Sequence, residues 1–450
     1  MSRIALIGEN SVEYVNALLD IWNNNDCAVL IDWRIPFKTA VKMMAEAGVT
    51  RCCIESGKLD NKIDIFPDSI ELEVFERPSN SAELLPQYIY DKYCDNYSND
   101  EAVVIYSSGT TGTSKGIILS HYAIQTNADA IIDYMNPSLG DCIYIAKVMS
   151  HSSTLTGELL VALKSGMKAV IAPTIVPPRF IISQIEQHNV SVICLNPTLL
   201  NYISDEYGRH DYDLSSLRVI YVSGSVLNDR VYNKSHHILK EIPIYNVYGL
   251  SEAGPRVSAQ RVDCCKSNSV GKPILGVEIV VADKNGNVLP NRERGMIHVN
   301  TQSRYCSYIT GEEKHKSVYK DWLNTGDIGY FDEYGELHIV GRMDDVILLG
   351  AHKIYPNDVV AQIMKYTDIH ECAVTAVSVN TEDVLCCLYT SSSDVRVDIK
   401  KLGTVLMKHE VPKIFIRTGA IPKTRTGKIS LQLVREVMVK ELNGRKIYDS

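Results

Sequence analysis

The stretch Tyr106-Ser-Ser-Gly-Thr-Thr-Gly-Thr-Ser-Lys-Gly116 constrains this chain more than any other. Apolar runs flank it, Ala102–Ile105 before and Ile117–Leu119 after, each short enough for a buried strand. Glycine permits a tight turn and close approach of backbone N–H groups to a ligand. The hydroxyls of Ser107, Ser108, Thr110 and Thr111 add donors around Gly109, and Lys115 adds a positive charge. Such a loop suits a polyanion, most simply the phosphates of a nucleotide. It is not the G-x-x-x-x-G-K-[ST] phosphate loop. Five residues after Gly109 stands Ser114, and Gly116 follows Lys115. Alone, such a cluster is as readily a solvated turn, so the rest of the chain must decide.

The chain before and after the loop alternates in period. Arg3–Ile7 reads as a strand, and Ser11 is placed to cap a helix running to Trp22. Cys27–Ile31 is a second apolar run, and Pro36 opens a helix that ends near Gly48. Residues 51–100 are acidic and irregular and read as a solvated connection with short strands. Beyond the loop, Ser120 can cap a helix His121–Met135. Strand patterns follow at Cys142–Ala146, Lys168–Ala172, Ser191–Leu195 and Arg218–Val222, with helices at Thr156–Lys164, Phe180–His188 and Pro197–Ile203. Alternating strands and helices predict mostly parallel sheets covered by helices, here two of them. Val277–Ala282 and Met296–Val299 flank Asn285-Gly286, a hairpin signal, and predict a smaller antiparallel sheet. Gly341-Arg-Met-Asp-Asp345 is a polar break. The fold class predicted is α/β: a large N-terminal domain over 1–341, with two α/β sheets and a β-rich part, then a small mobile α+β domain over 342–450. The latter would hold helices Pro356–Tyr366 and Val397–His409.

Composition narrows the function classes. The formal net charge of -8 provides no basic field for nucleic acid. No stretch approaches the roughly 18 apolar residues that span a bilayer, so no membrane partner is expected. The apolar core of Met1–Asn10 is too short for a signal peptide. The 12 cysteines include no C-x-x-C spacing. They read as reduced, mostly core residues of a cytoplasmic protein.

Four further segments carry chemistry: Tyr245-Asn-Val-Tyr-Gly-Leu-Ser-Glu-Ala-Gly254, Trp322-Leu-Asn-Thr-Gly-Asp-Ile-Gly-Tyr330, Gly341-Arg-Met-Asp-Asp345 and Ile421-Pro-Lys-Thr-Arg-Thr-Gly-Lys-Ile429. Together with the glycine loop, in this order, they resemble the adenylate-forming superfamily of acyl- and aryl-CoA synthetases, peptide-synthetase adenylation domains and luciferases. The resemblance runs from about Arg3 to Arg435. Members usually carry several dozen residues ahead of the segment similar to Arg3–Ile31, so their first helix is not expected here.

The resemblance implies ATP-dependent formation of an acyl-adenylate from a small carboxylic acid, with Mg²⁺, and transfer of the acyl group to a thiol. It implies that Ser107–Lys115 holds the β- and γ-phosphates, with Thr110 and Thr111 in direct contact. Tyr248 and Gly249 would lie against adenine, with Ser223-Gly224-Ser225 on the other side. Ser251 stands where the family usually has Thr and keeps the hydroxyl. Glu252 would hold Mg²⁺, Asp327 the ribose hydroxyls, and Arg342 ribose and phosphate. Lys428 matches the catalytic lysine, Asp344 the hinge, and Gly350 the passage for pantetheine. His151 stands near the place where amino-acid-activating members have Asp. A neutral imidazole pairs poorly with an ammonium ion, so an acyl or aryl acid without an α-amino group is expected. Met149, Asn196 and Leu250 would help shape its pocket. The acceptor most in keeping is CoA. The alternative is the phosphopantetheine arm of a carrier protein on a separate chain. A non-catalytic nucleotide-binding protein is the reading of another class, opposed by the joint presence of Glu252, Asp327, Arg342 and Lys428.

Overall fold

The computed structural model describes every residue except 60–65, 78–80, 108–114, 211, 241, 263–267, 311–312, 314, 351, 380–381, 393–396, 425–427 and 446–450, and the side chains of 107 and 443–445. Ser108, Gly109, Thr110 and Thr111 therefore lie outside the described residues.

The first sheet has seven strands, in the order 307–308, 115–120, 101–107, 27–32, 3–8, 51–55, 71–75. Arg3–Gly8 runs parallel to Cys27–Asp32 and to Arg51–Glu55 on its other side. Ser11 Oγ accepts the Tyr14 N–H at 3.0 Å, a cap contributing about 1 kcal/mol. Helix Val12–Asn23 then buries Tyr14, Val15, Leu18, Leu19 and Trp22, the residues whose helical spacing marks one face. The acidic stretch after Val49 is more ordered than its composition predicts. Arg51–Glu55 is an almost wholly buried strand, and Glu71–Phe75 adds a parallel edge. The acids on that edge face water, where charge discourages pairing with another chain.

The second sheet has eight strands, in the order 272–273, 256–259, 244–249, 219–222, 192–195, 142–145, 168–171, 83–84. One apolar core, reaching from Ile4 to Leu337, joins the two sheets. The predicted helix Thr156–Lys164 forms, as a π-helical stretch, Leu155–Leu160, followed by an α-helix, Val161–Ser165. The wider coil coincides with Glu158, fully buried and ion-paired to Lys147 at 2.8 Å, and such insertions recur at functional sites.

The antiparallel sheet has the order 277–282, 295–301, 323–331, 337–342. The Asn285-Gly286 turn forms: Gly286 N–H donates to Asp283 O at 3.1 Å, with Gly286 at φ +83°. It returns the chain only to a single bridge, Ala282 to Val288. Pro290 then interrupts the ladder, having no N–H. The long partner strand is Gly295–Thr301.

Past Arg342 comes one turn of 3₁₀ helix, Met343–Asp345. Residues from Ile347 onward build their own two apolar clusters around a three-stranded sheet of 371–379, 382–390 and 414–417. The helix predicted over Val397–His409 shrinks to Ile399–Leu402, stopped at Gly403, a poor helix former. Arg294 pairs with Asp358, Arg230 donates to Ile369 O and Asn357 Nδ2 to Val340 O at 3.0 Å. These contacts tie the C-terminal part to the rest.

Candidate active site

Glu101–Ser107 and Lys115–Ser120 pair antiparallel, with Ser107 opposite Lys115. Gly116 is packed so closely that an added Cβ would meet Ile309 at 2.9 Å. Ser120 Oγ caps the next helix through Ala123 N–H at 3.1 Å. Lys115 Nζ lies 4.7 Å from the centre of the Tyr308 ring, and Tyr308 donates its hydroxyl to Glu252 Oε1 at 3.1 Å. The loop base and Glu252, far apart in sequence, thus meet through one tyrosine.

Glu252 sits in a short turn, Ser251–Ala253, that follows strand Ile244–Gly249. That strand pairs back on 256–259, with Gly249 opposite Arg256. A Cβ on Gly249 would lie 1.9 Å from Pro255 O, so only glycine fits there. Tyr248, one residue earlier, donates its hydroxyl to Asp327 Oδ2 at 2.6 Å. Burial, and then the Asp327 charge, push the Tyr248 hydroxyl well above its ordinary value, so it acts as a donor at neutral pH. Asp327 faces Arg342 across the ladder of the antiparallel sheet, with Arg342 Nε 3.0 Å from Asp327 Oδ1. Asp327 N–H is held by Thr325 Oγ1 at 3.1 Å.

Lys428 comes into this group from the C-terminal part. Thr424 and Lys428 pin each other, Thr424 N–H donating to Lys428 O at 2.7 Å and Lys428 N–H to Thr424 Oγ1 at 3.2 Å. The Lys428 ammonium is lowered from its ordinary value, by burial first and then by Arg342, while Asp327 and Glu252 oppose the shift. Its side chain still has a solvent-facing surface, so it stands in an open cleft crowded by protein rather than in a sealed core.

On the acid side, Asn10 spans the gap between the two sheets. Its Nδ2 donates to Lys147 O at 2.8 Å and its Oδ1 accepts Met149 N–H at 2.9 Å. This fixes the segment leading to His151. Ser152 Oγ and Ser251 Oγ are 2.8 Å apart, joining that segment to the Glu252 turn. His151 is pushed down to about 4, by burial first, with Arg34, Lys428 and Lys147 adding to the effect and Asp32 opposing it. The imidazole is neutral at physiological pH. Among the described residues, His151 Nε2 has no hydrogen-bond partner.

Other sequence-predicted residues are placed as follows. Ser223 ends strand Val219–Val222 almost buried, and Gly224 follows at φ +95°. Asn196 caps helix Pro197–Tyr207, its Oδ1 accepting Leu199 N–H at 2.8 Å, so part of its polar capacity is already used. Leu250 N–H donates to Pro255 O at 2.9 Å. Asp344, in the 3₁₀ turn after Arg342, lies with Oδ2 3.2 Å from His315 Nε2. Gly350 is at φ +61°, in the hairpin of 347–349 and 352–354. Sequence reasoning missed Asn10, Tyr308, Ser152 and the Asp32–Arg34 pair, which is 2.6 Å apart. Only the D-x-R spacing of the last gave a local signal, an Asp accepting from the N–H two residues on.

The model of the AMP-binding enzyme family matches residues 1–308, and the chain belongs to that family. It is similar to a 2-succinylbenzoate–CoA ligase of Bacillus mycoides, 26% identical over 445 residues, covering 97% of this chain and 88% of the relative. It is also similar to 4-coumarate–CoA ligase 5 of Oryza sativa subsp. japonica, 29% identical over 356 residues, covering 74% of this chain and 65% of that one. Its fold matches ATP-bound MatB from Rhodopseudomonas palustris at TM-score 0.84, with 22% identity over 97% of this chain and 88% of the other. The anthranilate CoA ligase AuaEII in complex with anthranoyl-AMP matches at TM-score 0.83, with 19% identity over 97% of this chain and 87% of its own.

Proposed function

We infer that this enzyme activates a carboxylic acid with ATP and passes the acyl group to the thiol of CoA. What supports this reading is the joined group of Tyr248, Asp327 and Arg342, to which Glu252 and Lys428 are electrostatically coupled. In the first step a carboxylate oxygen of the acid bonds to the α-phosphorus while the bond to pyrophosphate breaks. Two anions must meet, so the site's work is positive charge and positioning. Lys428 stabilises the charge at the α-phosphate and the entering carboxylate. Asp327 accepts from the ribose hydroxyls, Arg342 reaches ribose and phosphate, and Tyr248 and Gly249 lie against adenine, with Ser223 and Gly224 opposite. Residues 107–115 hold the β- and γ-phosphates. In the second step the thiol sulfur bonds to the acyl carbon, AMP departs and the thiol proton goes to solvent.

Mg²⁺ fits the donor set. Glu252 offers one hard carboxylate whose Oε1 is oriented by Tyr308, and Mg²⁺ is commonly held by one or two carboxylates plus substrate phosphates and water. When bound it neutralises phosphate charge. The expected sites of action are cytoplasmic. Residues 1–341 form the nucleotide- and acid-binding core, 342–450 the lid, and Asp344 the hinge about which the lid swings to let pantetheine pass Gly350. The acid lacks an α-amino group, because the neutral His151 stands at its entrance with Met149 and Leu250. CoA as acceptor is supported by the names of the relatives.

Exchange of labelled pyrophosphate into ATP, across a panel of aliphatic and aromatic acids, tests the reading. Acid-dependent exchange is expected, followed by a thioester when CoA is added. Absence of exchange with every acid would sink the adenylation step. Exchange followed by transfer only to a carrier protein would replace CoA as acceptor.

A further inference from the structure

Below the Glu252 turn lies a charged group that the adenylation chemistry does not use. Arg256 is buried at 3% exposure. Its backbone is clamped by Asn127, which accepts Arg256 N–H at 2.8 Å and donates to Arg256 O at 2.9 Å. Arg256 is the cross-strand partner of Gly249, which places it one strand away from the loop assigned to the nucleotide. Its guanidinium reaches the π-helical stretch that follows His151, where an added Cβ on Gly157 would meet Arg256 Nη2 at 3.2 Å. A side chain at 157 would crowd the guanidinium; glycine leaves it room.

Among the described residues, two cations here meet one carboxylate. Lys147 and Arg256 face one carboxylate, Glu158, which is fully buried and already 2.8 Å from Lys147 Nζ. Burial pushes the Glu158 carboxyl up, which weakens it further as a counter-charge. Among the described residues, Arg256 Nε has no hydrogen-bond partner, and neither do Ser150 Oγ and Thr154 Oγ1 on the neighbouring segment. Buried cations are ordinarily paired, and an unsatisfied buried donor is expensive to keep. A buried cation with an open Nε, its guanidinium otherwise beside the Tyr134 hydroxyl, next to a carboxylic-acid site is chemically matched to a second anionic group on the substrate.

We propose that Arg256 binds the distal carboxylate of a dicarboxylic acid whose other carboxylate is activated beside Lys428. The proposal rests on the adenylation reading and adds the substrate class to it. Arg256 presents a planar fork of donors that a carboxylate fills in two-point fashion, and glycine at 157 leaves the guanidinium its room.

The test compares dicarboxylic acids of graded length, aliphatic and aromatic, with their monomethyl esters in pyrophosphate exchange by the full chain. The esters keep length and shape and lose one charge. The wild type is expected to prefer the diacid of best length over its half-ester by about a hundredfold or more in kcat/KM, as sites built for a polar group reject analogues lacking it. Arg256→Met should abolish that preference by lowering the diacid alone, and Arg256→Lys should restore part of it. Half-esters that serve the wild type as well as the diacids overturn the proposal, and that comparison decides it even if Arg256→Met does not fold. A loss common to both substrate sets in Arg256→Met would assign the residue a structural role and also overturn it. Exchange with monocarboxylic acids alone removes this proposal and leaves adenylation standing, whereas no exchange with any acid removes both.

Discussion

His151 titrates far from the ordinary histidine range, and this gives a measurable acid limit. Its folded value is about 4 against 6.5 for a free imidazole. Between these values the unfolded chain binds the proton and the native protein does not. The stabilising contribution is therefore complete above pH 6.5 and is lost as the pH falls through about 4. From pH 7.5 to 4.5 the two binding curves differ by about 2.5 kcal/mol. The origin is physical: one more positive charge would be placed in a half-buried site already facing Arg34, Lys428 and Lys147, with Asp32 in opposition. His151→Asn removes the titration and keeps a small polar group at a helix start. Urea unfolding of both proteins at pH 7.5 and 4.5 should show the variant losing about 2.5 kcal/mol less than the wild type. Ring resonances of His151, assigned through the same variant, should stay unmoved between pH 7.5 and 5.5. A His151 midpoint near 6.5, or equal acid losses in the two proteins, would refute the argument, and with it the neutral imidazole at the acid entrance.

Three further perturbations separate the parts of the site. Lys428→Ala should slow acyl-adenylate formation by about 10²- to 10³-fold, the usual effect of removing one transition-state charge stabiliser, while calorimetric ATP affinity stays nearly constant; unchanged adenylation removes its role. Asp327→Asn takes away the charge facing Arg342 at 3.0 Å and the strong acceptor for Tyr248 at 2.6 Å. ATP binding should weaken by about 1.5–3 kcal/mol, and an unaltered dissociation constant would count against the ribose contact. Asn10→Ala breaks two hydrogen bonds, at 2.8 and 2.9 Å, and frees the segment before His151. It should raise the KM for the acid far more than that for ATP, and equal changes would mean that Asn10 only stabilises the fold.

The sequence makes some layers of this protein legible and hides others for a definite reason. The strand at Arg3–Gly8, the cap at Ser11 and the helix after Ser120 were readable because each is set by residues a few positions apart. The chemistry-bearing segments were readable because each packs several unusual residues together, as in Tyr248–Glu252. Asn10, Tyr308 and Arg256 carry no such mark. Asn10 meets Lys147 across 137 positions, Arg256 meets Asn127 across 129, and Tyr308 is an ordinary tyrosine until the fold brings Glu252 to it. Short strands are expected in the acidic stretch, but the burial of Arg51–Glu55 is hidden, because the acidic residues around it mask a run of Cys52-Cys53-Ile54 that tertiary burial selects.

The same long-range assembly explains why the Lys428 ammonium is disfavoured. Lys428 shares its cleft with Arg342, and burial first and then Arg342 disfavour its charge, while Asp327 and Glu252 oppose the shift. A nucleotide polyphosphate brings several negative charges into this space. Opposite charge within a few ångströms favours the protonated form of an amine. Binding of ATP should therefore raise Lys428 back toward its ordinary value as an acid carboxylate approaches the α-phosphate. The repulsion between Lys428 and Arg342 is relieved once the phosphates are in place, which leaves the Lys428 charge for the bond forming at the α-phosphorus, the point where stabilisation counts toward rate.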